Sequence, residues 1–188
     1  EQMDEEVGRG KRLVEDVFER ECIGFRPGCG FEGGFSGVPD RLEILRRHGI
    51  RFVSADLRGP LDSIPNPLKQ AYTHEPDGYP DIMEIPGHGW HDNVLKGWTG
   101  HITYFPPVYD FAIPPAQPRT VVEVFAQEGR WLEHALETGV EYVSLVQHPW
   151  SIMRFDAAMA PIELLLVRVK QLGMPCTTYL DYYRELTA

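Results

Sequence analysis

The side chain of this sequence best suited to proton transfer is His148, which follows an apolar run and precedes Pro149. Residues 142–146 are mostly β-favouring and apolar, so the stretch 141–150 predicts a buried strand that runs into a loop at the histidine. Pro149 cannot donate a ladder hydrogen bond and ends the pairing. Barrel enzymes place catalytic groups at the C-terminal ends of parallel strands. The alternative, a histidine that only caps the strand and bonds a backbone carbonyl, stays open.

A second group of candidate side chains lies in the run His88-Gly89-Trp90-His91-Asp92. Two histidines and an aspartate are legitimate metal ligands. The run is broken by glycine and lacks a distant third ligand, so we favour polar lid residues over a metal site. Trp90 and Trp150 could stack on sugar rings, or they could pack in a core or a lid.

The elements that must position these residues alternate along the chain. Helices are predicted at 2–20, 39–48, 120–138, 157–172 and 179–186. Strands are predicted at 22–26, 50–56, 81–86, 141–147 and 174–178, and a long proline-rich excursion at 58–81. This alternation predicts an α/β fold with a mostly parallel sheet.

Bulk composition limits the classes of function. A chain of 188 residues with 43% apolar and 24% charged residues predicts a single globular domain. The net charge of −10 argues against nucleic acid or an anionic membrane surface as the main partner. No apolar run reaches the ~18 residues of a membrane span. Three widely spaced cysteines predict free thiols, and together with the absence of a signal peptide they favour the cytoplasm.

Two strand ends resemble motifs of the polysaccharide deacetylase family (NodB homology, carbohydrate esterase family 4). Residues 25–30, Phe-Arg-Pro-Gly-Cys-Gly, are similar to the family's Arg-Pro-Pro-Tyr-Gly motif, and residues 146–150, Val-Gln-His-Pro-Trp, to its closing Leu-x-His motif. The separation of the two motifs and the acidic helix before the first one fit as well. The resemblance implies a partial or deformed (β/α) barrel, with residues 1–188 as the C-terminal part of the deacetylase domain.

The resemblance also implies roles for individual residues. His148 would be the acid that protonates the leaving amine, and Arg26 would orient the aspartate that acts as base. Cys29 stands where the family has a tyrosine whose backbone N–H serves the oxyanion. Asp56, at a predicted strand end, is the candidate carboxylate that orients His148, although it could instead form a turn. Arg26 and His148 are therefore expected to converge on one pocket, with Cys29, His88, Trp90 and Trp150 as substrate contacts.

Two family motifs do not occur in this chain. Thr-Phe-Asp-Asp-Gly and His-Ser/Thr-x-x-His supply the base and the metal ligands in the family, where both precede the opening helix. The divalent metal implied by the resemblance, most plausibly zinc, therefore has no predicted ligand set here, and the chain alone is expected to be inactive. The implied function is metal-dependent hydrolysis of an N-acetyl group on a carbohydrate, by a chain that lacks an N-terminal segment or forms homo-oligomers. The alternatives are a non-catalytic carbohydrate- or partner-binding module and a small-amide hydrolase.

Overall fold

The computed structural model describes residues 1–97, 109–112 and 119–188. These residues form a mixed α/β structure with seven α-helices and a mostly parallel sheet, as predicted. Within them the sheet does not close into a barrel, so the deacetylase-type barrel stays a prediction. The chain divides into two compact units: unit 1 comprises 1–56, 71–86 and 178–188, and unit 2 comprises 57–70 and 87–177.

Unit 1 is built around a four-stranded sheet. Its elements are α1 (Gln2–Phe18), β1 (Gly24–Phe25), β2 (Phe31–Glu32), α2 (Pro39–Arg47), β3 (Phe52–Val53), the start of β4 (Asp56–Arg58), β5 (Tyr72–His74), β6 (Tyr79–Glu84) and α7 (Tyr179–Leu186). The strand order is β1-β3-β6-β5, in which β1, β3 and β6 are parallel and β5 is antiparallel to β6. The proline-rich excursion therefore contains a strand, β5, that the sequence pattern did not reveal.

The core of unit 1 is formed by one face of each helix and the apolar strand residues. Leu42 and Leu45 of α2 are fully buried, as their helical spacing predicts, and they pack with Val53 and Ile82 of the sheet. α2 has a proline in its first turn and is followed by Gly49, whose φ of 71° is the left-handed conformation that glycine adopts without strain. These signals placed the helix correctly.

Unit 2 is dominated by helices. They are α3 (Asp92–Leu95), α4 (Val121–Thr138), α5 (Pro149–Phe155) and α6 (Ala160–Gln171). α4 begins with a capping box between Thr120 and Glu123 and ends at Gly139, which has a φ of 71°. Its buried face, which includes Trp131, packs against Trp90 and the α3 residues. None of the described helices is both long and apolar enough to cross a membrane.

Two predicted strands are wrong. Residues 141–147 form only an isolated parallel bridge, between Leu145 and His88, and residues 174–178 form no strand. The 142–146 side chains are half-buried rather than covered on both faces. Pro149 does not open a loop. It occupies the first turn of α5, where a missing N–H costs nothing.

Candidate functional site

The candidate site is organised by the carboxylate of Asp92, at the start of α3. Its side chain is fully buried, and its Oδ2 accepts a hydrogen bond of 2.9 Å from the Nζ of Lys96, one helical turn later. Lys96 is buried as well, so each charge neutralises the other away from water. Its Nζ also donates to Ser151 Oγ at 3.1 Å and to Gln147 Oε1 at 3.4 Å.

His148 is held by the same carboxylate. Its Nδ1 lies 2.7 Å from Asp92 Oδ1, and its backbone N–H donates to Asp92 Oδ2 at 3.1 Å. Because the carboxylate can only accept, Nδ1 must carry the proton of this bond, which leaves Nε2 to act on a ligand. The His148 side chain remains 37% exposed, while Asp92 is out of reach of solvent. The pair is a histidine–aspartate dyad in which the partly exposed imidazole keeps one nitrogen, Nε2, off the carboxylate.

Asp92 remains ionised because its hydrogen bonds outweigh its burial. Burial raises the pKa of this carboxyl group, but hydrogen bonds from Lys96, His148 and Ser151 together bring its pKa below the ordinary value. Because Asp92 is charged at neutral pH, it keeps the imidazole of His148 in one orientation. It also stabilises the imidazolium that forms when His148 binds a proton.

His91 is the second imidazole of the site. As the N-cap of α3 it accepts a 3.3 Å hydrogen bond from the backbone N–H of Asn93 on its Nδ1. Its ring centroid lies 5.0 Å from that of His148. Burial lowers the pKa of His91, and the nearby His148, Arg58 and Lys96 lower it further, against the opposing effect of Asp92.

A buried acid lies behind the dyad. Glu128 of α4 accepts a hydrogen bond from the side-chain amide of Gln147, which in turn accepts from Lys96. Burial raises the pKa of Glu128 to about 7, although the Gln147 hydrogen bond and the charge of Lys96 lower it. Its Oε2 has no hydrogen-bond partner in the part of the chain that the structure describes.

The trio His91, Asp92 and His148 offers one ligand atom each, all within 4.8 Å of one another, as a metal site would require. The carboxylate of Asp92 is already engaged, however. Its Oδ1 accepts from His148 and its Oδ2 accepts from the Lys96 ammonium, while His91 Nδ1 accepts from Asn93. A divalent cation bound to this carboxylate would displace its hydrogen bonds and lie close to the buried positive charge of Lys96. We therefore derive no step through a metal at this trio.

The predicted residues of unit 2 are placed as follows. Trp150 is 55% exposed, and its ring centroid lies 6.0 Å from that of His148, so it borders the dyad. Trp90 is buried in the core of the unit. His88 is buried too, where its Nδ1 accepts from the N–H of Ser144 and its Nε2 lies 3.0 Å from Lys69 O. Both were expected over the substrate and instead serve packing and chain pairing.

Arg26, Asp56 and Cys29 belong to unit 1. The guanidinium of Arg26 donates to the hydroxyls of Ser54 (2.8 Å) and Tyr179 (2.6 Å) and has no carboxylate partner among the described residues. Asp56 is buried and accepts from Gly33 N–H and from a tyrosine hydroxyl. Cys29 is exposed. The convergence of Arg26 with His148 stays a prediction.

The residue that holds His148 is therefore Asp92 rather than Asp56. Sequence reasoning considered Asp92 only as a metal ligand and missed Lys96 altogether. The available signal in the sequence was weak. Asp92 and Lys96 are four residues apart, the spacing of a helical ion pair, and they follow His91 directly. A helix of four residues has no periodicity to detect.

Comparison with models of known protein families, with curated proteins and with solved structures finds no match for this chain. Its function is therefore inferred from the geometry of the site and from the resemblance of its motifs.

Proposed function

We propose that the chain carries the proton-transfer half of an amide hydrolase that acts on an N-acetylated carbohydrate. The observation that carries this proposal is the 2.7 Å bond between His148 Nδ1 and Asp92, which orients a half-exposed imidazole on a buried anion. This is the arrangement of a general acid–base catalyst.

In the proposed reaction, water adds to the carbonyl carbon of the acetamide and the bond to nitrogen breaks. The attacking water gives one proton to His148 Nε2, and His148 passes that proton to the leaving amine nitrogen, so that acetic acid and the free amine are the products. Asp92 stabilises the charged imidazolium throughout, because it remains ionised beside Lys96. No group other than water is consumed.

The substrate class is supported by Trp150 and by the motif resemblance. The flat, exposed indole of Trp150 lies next to His148, where its apolar face can contact the C–H groups of a sugar ring. An amino sugar bound there would bring its N-acetyl group to the dyad. The resemblance to deacetylases, with the barrel that it implies, points to the same substrate.

The resemblance also implies a divalent metal, zinc by preference, that would polarise the acetamide carbonyl. The trio around Asp92 does not fit that role, so the metal would need other residues as ligands. Arg26 keeps its proposed role of orienting a base carboxylate, since its hydrogen bonds within the described residues go to hydroxyl groups.

A titration of the chain with N,N′-diacetylchitobiose, followed by NMR, tests the proposal. We expect the ring signals of His148 and Trp150 to shift, and the same concentration of fully deacetylated chitobiose to shift them much less. Equal responses to both sugars, or changes confined to residues far from the dyad, would contradict it. Acetate release by the isolated chain should stay at background with added zinc, because the one trio that could hold a metal among the described residues has its carboxylate bonded to Lys96.

A non-catalytic carbohydrate-binding module is the second candidate, and the exposed Trp150 favours it. The two functions differ in what they require of the imidazole. If Trp150→Ala abolishes sugar binding while His148→Ala leaves both affinity and the preference for the acetylated sugar unchanged, the binding module is the better description.

A further inference from the structure

The two neighbouring imidazoles of the site are engaged by the protein in opposite ways. His148 donates from Nδ1 to Asp92, whereas His91 accepts on Nδ1 from the backbone N–H of Asn93. A neutral imidazole carries one N–H. The hydrogen-bond network therefore assigns a bare Nε2 to His148 and an Nε2–H to His91.

The assignment for His91 has one competitor, the 3.5 Å contact between its Nδ1 and Asp92 Oδ1. That oxygen already accepts from His148 at 2.7 Å, and a proton on His91 Nδ1 would point at the N–H of Asn93. Two hydrogens would then meet in the same bond. The Nε2–H form avoids this clash.

His91 also remains uncharged at neutral pH. Its burial lowers the pKa of the imidazole, and the groups that face it are mostly cationic: Arg58, Lys96 and the imidazolium form of His148. Asp92 raises the pKa of His91, but its oxygens are already bonded to His148 and Lys96. A neutral imidazole beside a basic one can donate a hydrogen bond without competing for the same proton.

We infer that His91 binds the acetamide of the substrate through its carbonyl oxygen. His91 donates its Nε2–H to that oxygen, and the bare Nε2 of His148, on a ring whose centroid lies 5.0 Å from that of His91, is left for proton transfer. A trans secondary amide presents its C=O and its N–H on opposite edges, so the contact with His91 involves the carbonyl oxygen alone. The inference rests on the proposed function and adds a catalytic residue to it, because the donor of His91 also stabilises the oxyanion that forms when water adds.

The tautomers can be read directly, without any ligand. Two-bond ¹H–¹⁵N spectra of the imidazoles above their titration range should show His148 protonated on Nδ1 and His91 protonated on Nε2. His134, whose Nδ1 contacts a carboxylate on the surface of α4, is an internal reference. A His91 ring protonated on Nδ1, or charged at pH 7, would overturn the inference and leave the His148–Asp92 dyad intact.

Two matched variants test the ligand contact, with N,N′-diacetylchitobiose as the probe. His91→Asn can still accept from Asn93 at the N-cap but is too short to reach with a donor. His91→Gln carries an amide N–H at about the distance of Nε2. We expect His91→Asn to weaken binding about tenfold, while His91→Gln stays within about threefold of the wild type.

Equal affinity for His91→Asn and the wild type would overturn the contact between His91 and the amide carbonyl. His134→Gln is the control variant and should bind as the wild type does. A wild-type chain that binds no N-acetylated sugar would instead overturn the proposed function, and the amide contact with it. A native spectrum is expected for His91→Asn, because it retains the N-cap acceptor. The spectrum of His91→Gln, which lacks that acceptor, checks that this variant keeps its fold before its affinity is compared.

Discussion

Replacing Asp92 by Asn is the sharpest test of the buried charge pair. The substitution keeps the shape of the side chain but leaves the ammonium of Lys96 buried without its anion. Removing one partner of a buried pair costs about 3–5 kcal/mol, because the remaining charge stays desolvated. A loss of this size is a large part of the ~5–15 kcal/mol that stabilises a typical domain. His148 loses its orienting acceptor at the same time.

Urea unfolding followed by tryptophan fluorescence is the assay, since every tryptophan of the chain falls between residues 87 and 177. Glu137→Gln is the matched control, because this carboxylate is 55% exposed and should change the free energy of unfolding by less than about 0.5 kcal/mol. Adding Lys96→Met to Asp92→Asn removes the unpaired charge and should recover about 2 kcal/mol or more.

The reasoning fails if Asp92→Asn costs no more than Glu137→Gln, or if the double variant is no more stable than the single one. The dependence of stability on acidic pH provides a further check that ionised Asp92 stabilises the fold. The folded-state pKa of Asp92 is below its ordinary value of 3.8, so its contribution is present above that pH and is lost as the pH falls further. The difference in the free energy of unfolding between the wild type and Asp92→Asn should therefore persist down to about pH 4 and shrink below it.

The remaining predictions concern pH and unit 1. Burial lowers the pKa of His88 to about 4, so unit 2 loses roughly 3 kcal/mol as the pH falls from 6.5 to 4. Burial raises the pKa of Glu128 to about 7, so unit 2 loses a similar amount as the pH rises from 4.5 to 7. The two trends offset each other in the wild type. The free energy of unfolding of Glu128→Gln should therefore rise with pH between 4.5 and 6.5, and that of His88→Gln should fall over the same range. Urea titrations at several pH values measure both. Parallel pH profiles for the two variants would disprove these pKa shifts. Tyr179→Phe removes a hydroxyl bonded to Arg26 and should lower the opening free energy of β3, measured by amide hydrogen exchange, by about 1 kcal/mol. Tyr183→Phe is the near-neutral control. Equal losses for the two variants would contradict the contact between Tyr179 and Arg26.

Sequence reasoning succeeded where local signals mark the ends of an element. α4 lies between a capping box and a glycine, and α7 begins after Thr178, whose side chain caps it. Such signals act within a few residues and do not depend on the rest of the chain. The α/β class and the mostly parallel sheet follow from the order of these elements.

The strand at 141–147 failed because pairing is a property of two segments. Its residues favour β-structure, but only Leu145 forms a bridge, and the chain then turns into α5 at Pro149. The site was predicted only in part, because it too depends on a contact between two distant segments. His148 could be found from its place after an apolar run, whereas Asp92 lies 56 positions away and meets it only in the folded chain.

The charge arrangement is the reason for proposing proton transfer at this site. Lys96 neutralises Asp92 inside the protein, so the carboxylate can be buried and still remain ionised. The hydrogen bond from Lys96 is the largest of the effects that lower the pKa of Asp92 against its burial. A metal at this carboxylate would compete with Lys96 for the same oxygens. The proposal of a proton-transfer dyad rather than a metal centre at these three side chains therefore depends on the buried lysine.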